Sequence, residues 1–134
     1  MSRFLLVSAI LEVPAGLAFV FTPLLQAGMF FGTTLDGPGG TALARLLGCT
    51  MVALGLACWC ARRDGSSRAA RGLAAAMLFY NASVVVLGLA GALVSRVSAP
   101  AQWPAAVIHG GMAVWCIWCL RDKEDTAAVA GSSR

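Results

Sequence analysis

Residues 72–94 read GLAAAMLFYNASVVVLGLAGALV, a run without one charged side chain and with a single carboxamide, Asn81, near its middle. Roughly 20 helical residues cover the hydrocarbon core of a bilayer, and this run is that long. Its apolar residues do not alternate with polar ones. Lipid tolerates only helices and closed barrels, because unsatisfied backbone groups are costly there, so the run reads as a spanning helix. Arg71 stands before it and Ser95-Arg96 behind it.

Working outward, three more stretches have the same character. One runs from Arg3 to Phe21 and ends at Thr22-Pro23. Another runs from Thr41 to Ala61, between the breaker run Asp36-Gly37-Pro38-Gly39-Gly40 and the pair Arg62-Arg63. The last runs from Gln102 to Leu120 and is closed by Arg121-Asp122-Lys123. The expected fold is therefore all-α: a four-helix transmembrane bundle with spans at about 3–21, 41–61, 72–94 and 102–120. Residues 1–121 form the one domain, and 122–134 a short frayed tail. The segment Pro23–Gly40 is too short to span and reads as an amphipathic piece lying on the outer surface.

Composition agrees with this reading. The 134 residues are 59% hydrophobic and 12% charged, with a mean hydropathy of +0.80, whereas a soluble domain is typically about 25% charged. Such numbers exclude disorder, and the length excludes several domains. The net charge of +4 reads as topology and not as a nucleic-acid footprint. Arg3, Arg62, Arg63, Arg68, Arg71, Arg121, Lys123 and Arg134 all fall on one side of the four spans, and only Arg96 lies in the opposite loops. By the positive-inside rule both termini are cytoplasmic, which an even number of helices allows. Trp59, Trp103, Trp115 and Trp118 sit near span ends, as interfacial aromatics do. The expected location is a bacterial-type inner (plasma) membrane, multi-pass. Met1-Ser2-Arg3 before an apolar stretch has the look of a signal peptide, but Glu12 and Pro14 break the core early, so the first segment is expected to be retained.

Helical spacing then shows which residues share a face. The stripes are Ser8, Glu12 and Gly16 with Ala15; Thr41, Arg45, Gly48, Cys49 and Val52; Ala74, Met77, Asn81, Val85, Gly88 and Ala92; and Ala106, His109, Gly110, Ala113 and Cys116. Each helix sets its most polar residue among its smallest ones. Small residues permit close helix contact in membranes, and ionisable groups there face the interior. At a rise of about 1.5 Å per residue, Glu12, Asn81 and His109 lie roughly 14 to 17 Å from the cytoplasmic ends and Arg45 roughly 22 Å. Glu12 and Arg45 are expected to pair, with Tyr80, Asn81 or His109 completing the hydrogen bonds. These five residues are the candidate site for a proton or a small ligand; structural glue between helices is the competing explanation.

The five cysteines invite a redox or metal reading. Cys58, Cys60, Cys116 and Cys119 fall at one level. However, two residues along a helix is about 200° of rotation, so Cys58 and Cys60 face opposite ways. A reducing cytosol opposes a lasting disulfide. They are expected to be small, polarizable packing residues, with no metal site. His109 is the single histidine, so a bis-His haem would need a second copy of the chain. No phosphate loop, zinc helix or nucleophile elbow occurs, and no catalytic residue or cofactor follows from the sequence.

A first helix, a long outer loop, Ala44-Arg45-Leu46-Leu47-Gly48 leading into Ala53-Leu54-Gly55-Leu56, a basic turn and two more helices resemble the DoxX-like group of small four-helix bacterial membrane proteins. That resemblance implies quinone-coupled sulfur oxidation or membership of a membrane redox complex; no residue-level signature is carried over. Ala9-Ile10-Leu11-Glu12-Val13 is similar to the first-helix carboxylate of small multidrug resistance transporters, but the long outer loop and the strong charge bias depart from them. The role expected from the sequence is a non-enzymatic accessory subunit or small-molecule-binding module. A quinone-linked redox subunit and a proton-coupled transporter using Glu12 are the alternatives. The bilayer, a membrane partner subunit or a second copy of the chain are the expected partners, with small-x-x-x-small pairs such as Ala44 and Gly48 available for close contact; nucleic acid is not expected.

Overall fold

The computed structural model describes residues 1–32, 35, 37–64, 67–94 and 99–132, with residues 122–132 described by backbone alone. Five helices follow one another: α1 (Ser2–Phe21), α2 (Pro23–Phe31), α3 (Gly37–Ala61), α4 (Arg68–Leu93) and α5 (Gln102–Ser132). Among the described residues there is no strand. Four of the helices, all but α2, are long and apolar enough to cross a membrane. Arg96 and the side chains of residues 122–134 lie outside the described residues.

The boundaries show how local chemistry competes with pattern. α3 begins at Gly37 and α4 at Arg68, each a turn before the starts expected at Thr41 and Gly72. Pro38 does not break α3, because a proline in the first turn lacks an N–H that would be unpaired there anyway. For α4, Ser67 accepts a hydrogen bond from the Ala70 N–H at 3.1 Å and caps the helix, and this draws Arg68 and Arg71 out of the loop and into the first turn. α2 is a helix proper, opened by Pro23 and closed by Gly32 in the left-handed conformation at φ 64°, where glycine carries no Cβ penalty. The C-terminal tail does not fray at Leu120; its backbone continues α5 to Ser132.

Packing divides the long helices into two antiparallel pairs. α1 lies on α3 so closely that a Cβ added to Gly16 would come within 2.6 Å of the Gly48 carbonyl oxygen, and one added to Gly48 within 2.5 Å of the Gly16 carbonyl oxygen. Gly55 repeats the approach against Val13. α4 lies on α5, where Gln102 Nε2 donates to the Gly88 carbonyl at 2.6 Å and Cys116 Sγ donates to that of Ala74 at 3.0 Å. Between the pairs, Phe4 and Trp115 meet edge to face, ring centroids 5.9 Å apart, and Tyr80 reaches Glu12, beside a core cluster to which all four long helices contribute. One core cluster, near the end that carries the termini, contains Phe4, Leu5, Ala9, Cys58, Ala74, Met77 and Cys116; the other, near the far end, contains Phe19, Ala44 and Met51. α2 caps that far end, held to α5 by the Ala101 N–H donating to Met29 O at 2.9 Å.

The inner face of α3 is not the one expected. Ala44, Gly48, Met51, Gly55 and Cys58 are buried, while Arg45 and Cys49 are exposed and Thr41 and Val52 are half-buried. Ala44 and Arg45 flank Gly48 on opposite sides, four and three residues back. The glycine seam with α1 decides between them. Gly48 and Gly55, seven residues apart, share one face, and backbone contact there turns Ala44 in and Arg45 out.

Candidate functional site

Glu12 stands on the α1 stripe of small residues, one turn from Gly16, and is only 4% exposed. Its Oε2 accepts a hydrogen bond from the Tyr80 hydroxyl of α4 at 3.0 Å. Among the described residues its carboxylate has no cationic partner. Cys58 of α3 is the other titratable group in electrostatic reach of it.

Tyr80 leads on to a second polar pair. Its ring meets that of His109 on α5 edge to face, at a centroid distance of 5.6 Å. His109 Nδ1 is 2.8 Å from Oδ1 of Asn81, and Asn81 Nδ2 donates to the Met77 carbonyl at 2.7 Å. That second bond orients the carboxamide and turns its oxygen toward the imidazole. An amide oxygen only accepts, so Nδ1 carries a proton, and a neutral ring then presents a lone pair at Nε2. Among the described residues, no protein group donates a hydrogen bond to Nε2. Asn81 is 1% exposed, and its position at i+4 from Met77 on the buried stripe of α4 explains its place.

Ser8 completes the group, although sequence reasoning placed it on the stripe without assigning it to the site. It lies one turn before Glu12, is 1% exposed, and its Oγ is the single buried side-chain polar atom among the described residues with no hydrogen-bond partner. Helical serines commonly bond a carbonyl one turn back; this one does not. Its i−4 spacing from Glu12 was the available signal.

Of the five residues singled out from the sequence, the structure thus brings together Glu12, Tyr80, Asn81 and His109, drawn from α1, α4 and α5. Arg45 stands apart. It is exposed at the far end and lines a separate cavity, so the expected ion pair with Glu12 is not formed. Of the cysteines, Cys58 and Cys116 are buried in one core cluster with half-buried Cys119 packed against it, while Cys49 and Cys60 are exposed. Among the described residues, no three His, Cys, Asp or Glu side chains stand close enough to hold a metal ion. Comparison with protein families, with characterised proteins and with solved structures finds no match to this chain.

Chemically, the interior group is an acid with acceptor and donor neighbours and no positive charge. A bare carboxylate away from water costs several kcal/mol or more unless something offsets it. With no Lys or Arg at hand among the described residues, a proton or a cationic, hydrogen-bonding ligand is what this site can hold. The loss of Arg45 from the group removes the means of holding an anion there.

Proposed function

We propose that the chain is a multi-pass membrane protein of DoxX-like layout whose bundle interior binds a proton or a small cationic ligand at Glu12. The single observation that carries this is a carboxyl group 4% exposed, bonded to Tyr80 and without a cationic partner among the described residues. Four helices of spanning length support the membrane setting. So does an outer surface that leaves Phe21, Phe79, Leu93 and Val107 about three-quarters exposed, a density of apolar contact that water would punish with aggregation. Exposed Trp103 at one end and Trp59 and Trp118 at the other suit the two interfaces of a bilayer. Cytoplasmic termini follow from the positive-inside rule, and a bacterial inner membrane from the same layout.

Among the roles open to such a protein, a small-molecule-binding module or accessory subunit fits a buried, hydrogen-bonded acid held between helices. Proton-coupled transport is the second reading, and the uncompensated carboxyl favours it. Glu12→Gln, examined in reconstituted bilayers with native mass spectrometry and a proton-uptake assay, tests both. The expected result is a folded, assembled variant that has lost the bound cation or the proton signal. A variant that loses assembly while its remaining folded fraction keeps the signal would show that Glu12 is glue.

A further inference from the structure

The cavity at the far end, about 430 Å³ in volume, is walled by Leu24 of α2, by Leu35, and by Gly37, Pro38, Thr41, Ala42 and Arg45 of α3. Among the described residues, the charged one in its wall is Arg45. Among the described residues the guanidinium has no hydrogen-bond or ion-pair partner, and exposed leucines stand near it: Leu43 and Leu46 are close in sequence and are 64% and 63% exposed. Counting along α3 at about 1.5 Å per residue, Arg45 lies roughly 12 Å from the start at Gly37 and roughly 24 Å from Ala61. A bilayer core is about 30 Å thick, so Arg45 sits just inside one apolar boundary, within reach of the headgroup layer by snorkelling. The first turn of α3 shares the wall, and a helix N-terminus carries potential of the same sign.

We propose that this cavity binds an anionic phospholipid from the adjoining leaflet, its headgroup phosphate taken by Arg45 and Thr41 and its first acyl carbons lying against Leu24, Leu35 and Ala42. The inference rests on the membrane reading, though not on the chemistry at Glu12. Guanidinium matches phosphate in charge and in planar geometry, and the apolar walls select an amphiphile over a free anion. The volume is that of a small-molecule site.

The test uses the full-length, delipidated protein in nonionic micelles, titrated separately with dioleoylphosphatidylglycerol, dioleoylphosphatidylcholine and inorganic phosphate, and read by native mass spectrometry. One phosphatidylglycerol per chain is expected, with roughly a five- to tenfold preference over phosphatidylcholine and no phosphate adduct. Arg45→Gln abolishes the preference, and Ala42→Trp, which fills the cavity with Arg45 in place, lowers phosphatidylglycerol binding at least as far; Arg121→Gln, at the opposite end, leaves it as in the native protein. Should Arg45→Gln misfold, the Ala42→Trp result decides alone. Equal binding of the two lipids, displacement of phosphatidylglycerol by phosphate, or a preference that survives either cavity variant overturns the proposal. Alkaline carbonate extraction of the native membranes runs beside it: release into the aqueous phase would mean that the membrane reading itself has failed, and retention with no lipid preference that only the cavity has.

Discussion

Tyr80 joins two helix pairs with a single hydroxyl, and its removal is the cleanest probe of that join. Tyr80→Phe keeps the ring against His109 and deletes only the bond to Glu12. Hydrogen bonds between membrane helices average about 0.6 kcal/mol and reach about 1.7, so the expected loss of stability falls in that range, measured by unfolding in mixed SDS micelles. Ser8→Ala should behave in the opposite sense. Its hydroxyl is buried without a partner, so the empty protein loses nothing on substitution and gains up to about 1 kcal/mol, while binding of a ligand that uses the hydroxyl weakens. Both results come from the same unfolding series. At this scale the sequence was informative where one polar residue stood in a stripe of small ones, as with Glu12, Asn81 and His109. It was misleading at Arg45, because polarity there was taken to mean interior. The neighbour that decided the matter was Gly48, whose value lies in having no side chain.

Glycines set the architecture of the elements, and they do so unequally. A Cβ at Gly16 or Gly48 meets backbone atoms of the facing helix at 2.6 and 2.5 Å, and backbone cannot step aside as a side-chain tip can, whereas a Cβ at Gly72 or Gly88 meets nothing within 4 Å. Gly48→Ala is therefore expected to cost about 1–3 kcal/mol through overpacking or to separate α1 from α3, and Gly88→Ala to be neutral or to gain up to about 1 kcal/mol from helix propensity. Thermal unfolding followed by helical circular dichroism in detergent distinguishes the two. Sequence periodicity placed all four long helices, because an unbroken apolar run has few alternatives. It misplaced two of their starts by a turn, since Pro38 and Ser67 act through the hydrogen-bonding needs of a first turn and not through hydropathy. Helical backbone from Leu120 to Ser132 was not legible at all: Ala-rich composition serves a helix and a frayed tail alike.

Across the whole molecule, the two helix pairs approach each other less closely than the helices within each pair do, and the polar group sits where they meet. A proton or cation arriving at Glu12 changes the Tyr80–Glu12 hydrogen bond between the pairs, which couples occupancy of the site to how tightly they close. Orientation can be checked independently. A chain whose only cysteine is Cys60, which is exposed and adjoins the arginine-rich turn, should resist a membrane-impermeant maleimide in intact cells and react once they are opened; labelling from outside would reverse the topology. The interior chemistry is tested most directly by infrared difference spectroscopy of the protein in lipid as pH is varied. The expected spectrum contains a carboxylic-acid carbonyl band that vanishes in Glu12→Gln and moves in Tyr80→Phe. A pH-dependent carbonyl spectrum unchanged by Glu12→Gln would contradict the assignment of a working acid to the centre of this bundle.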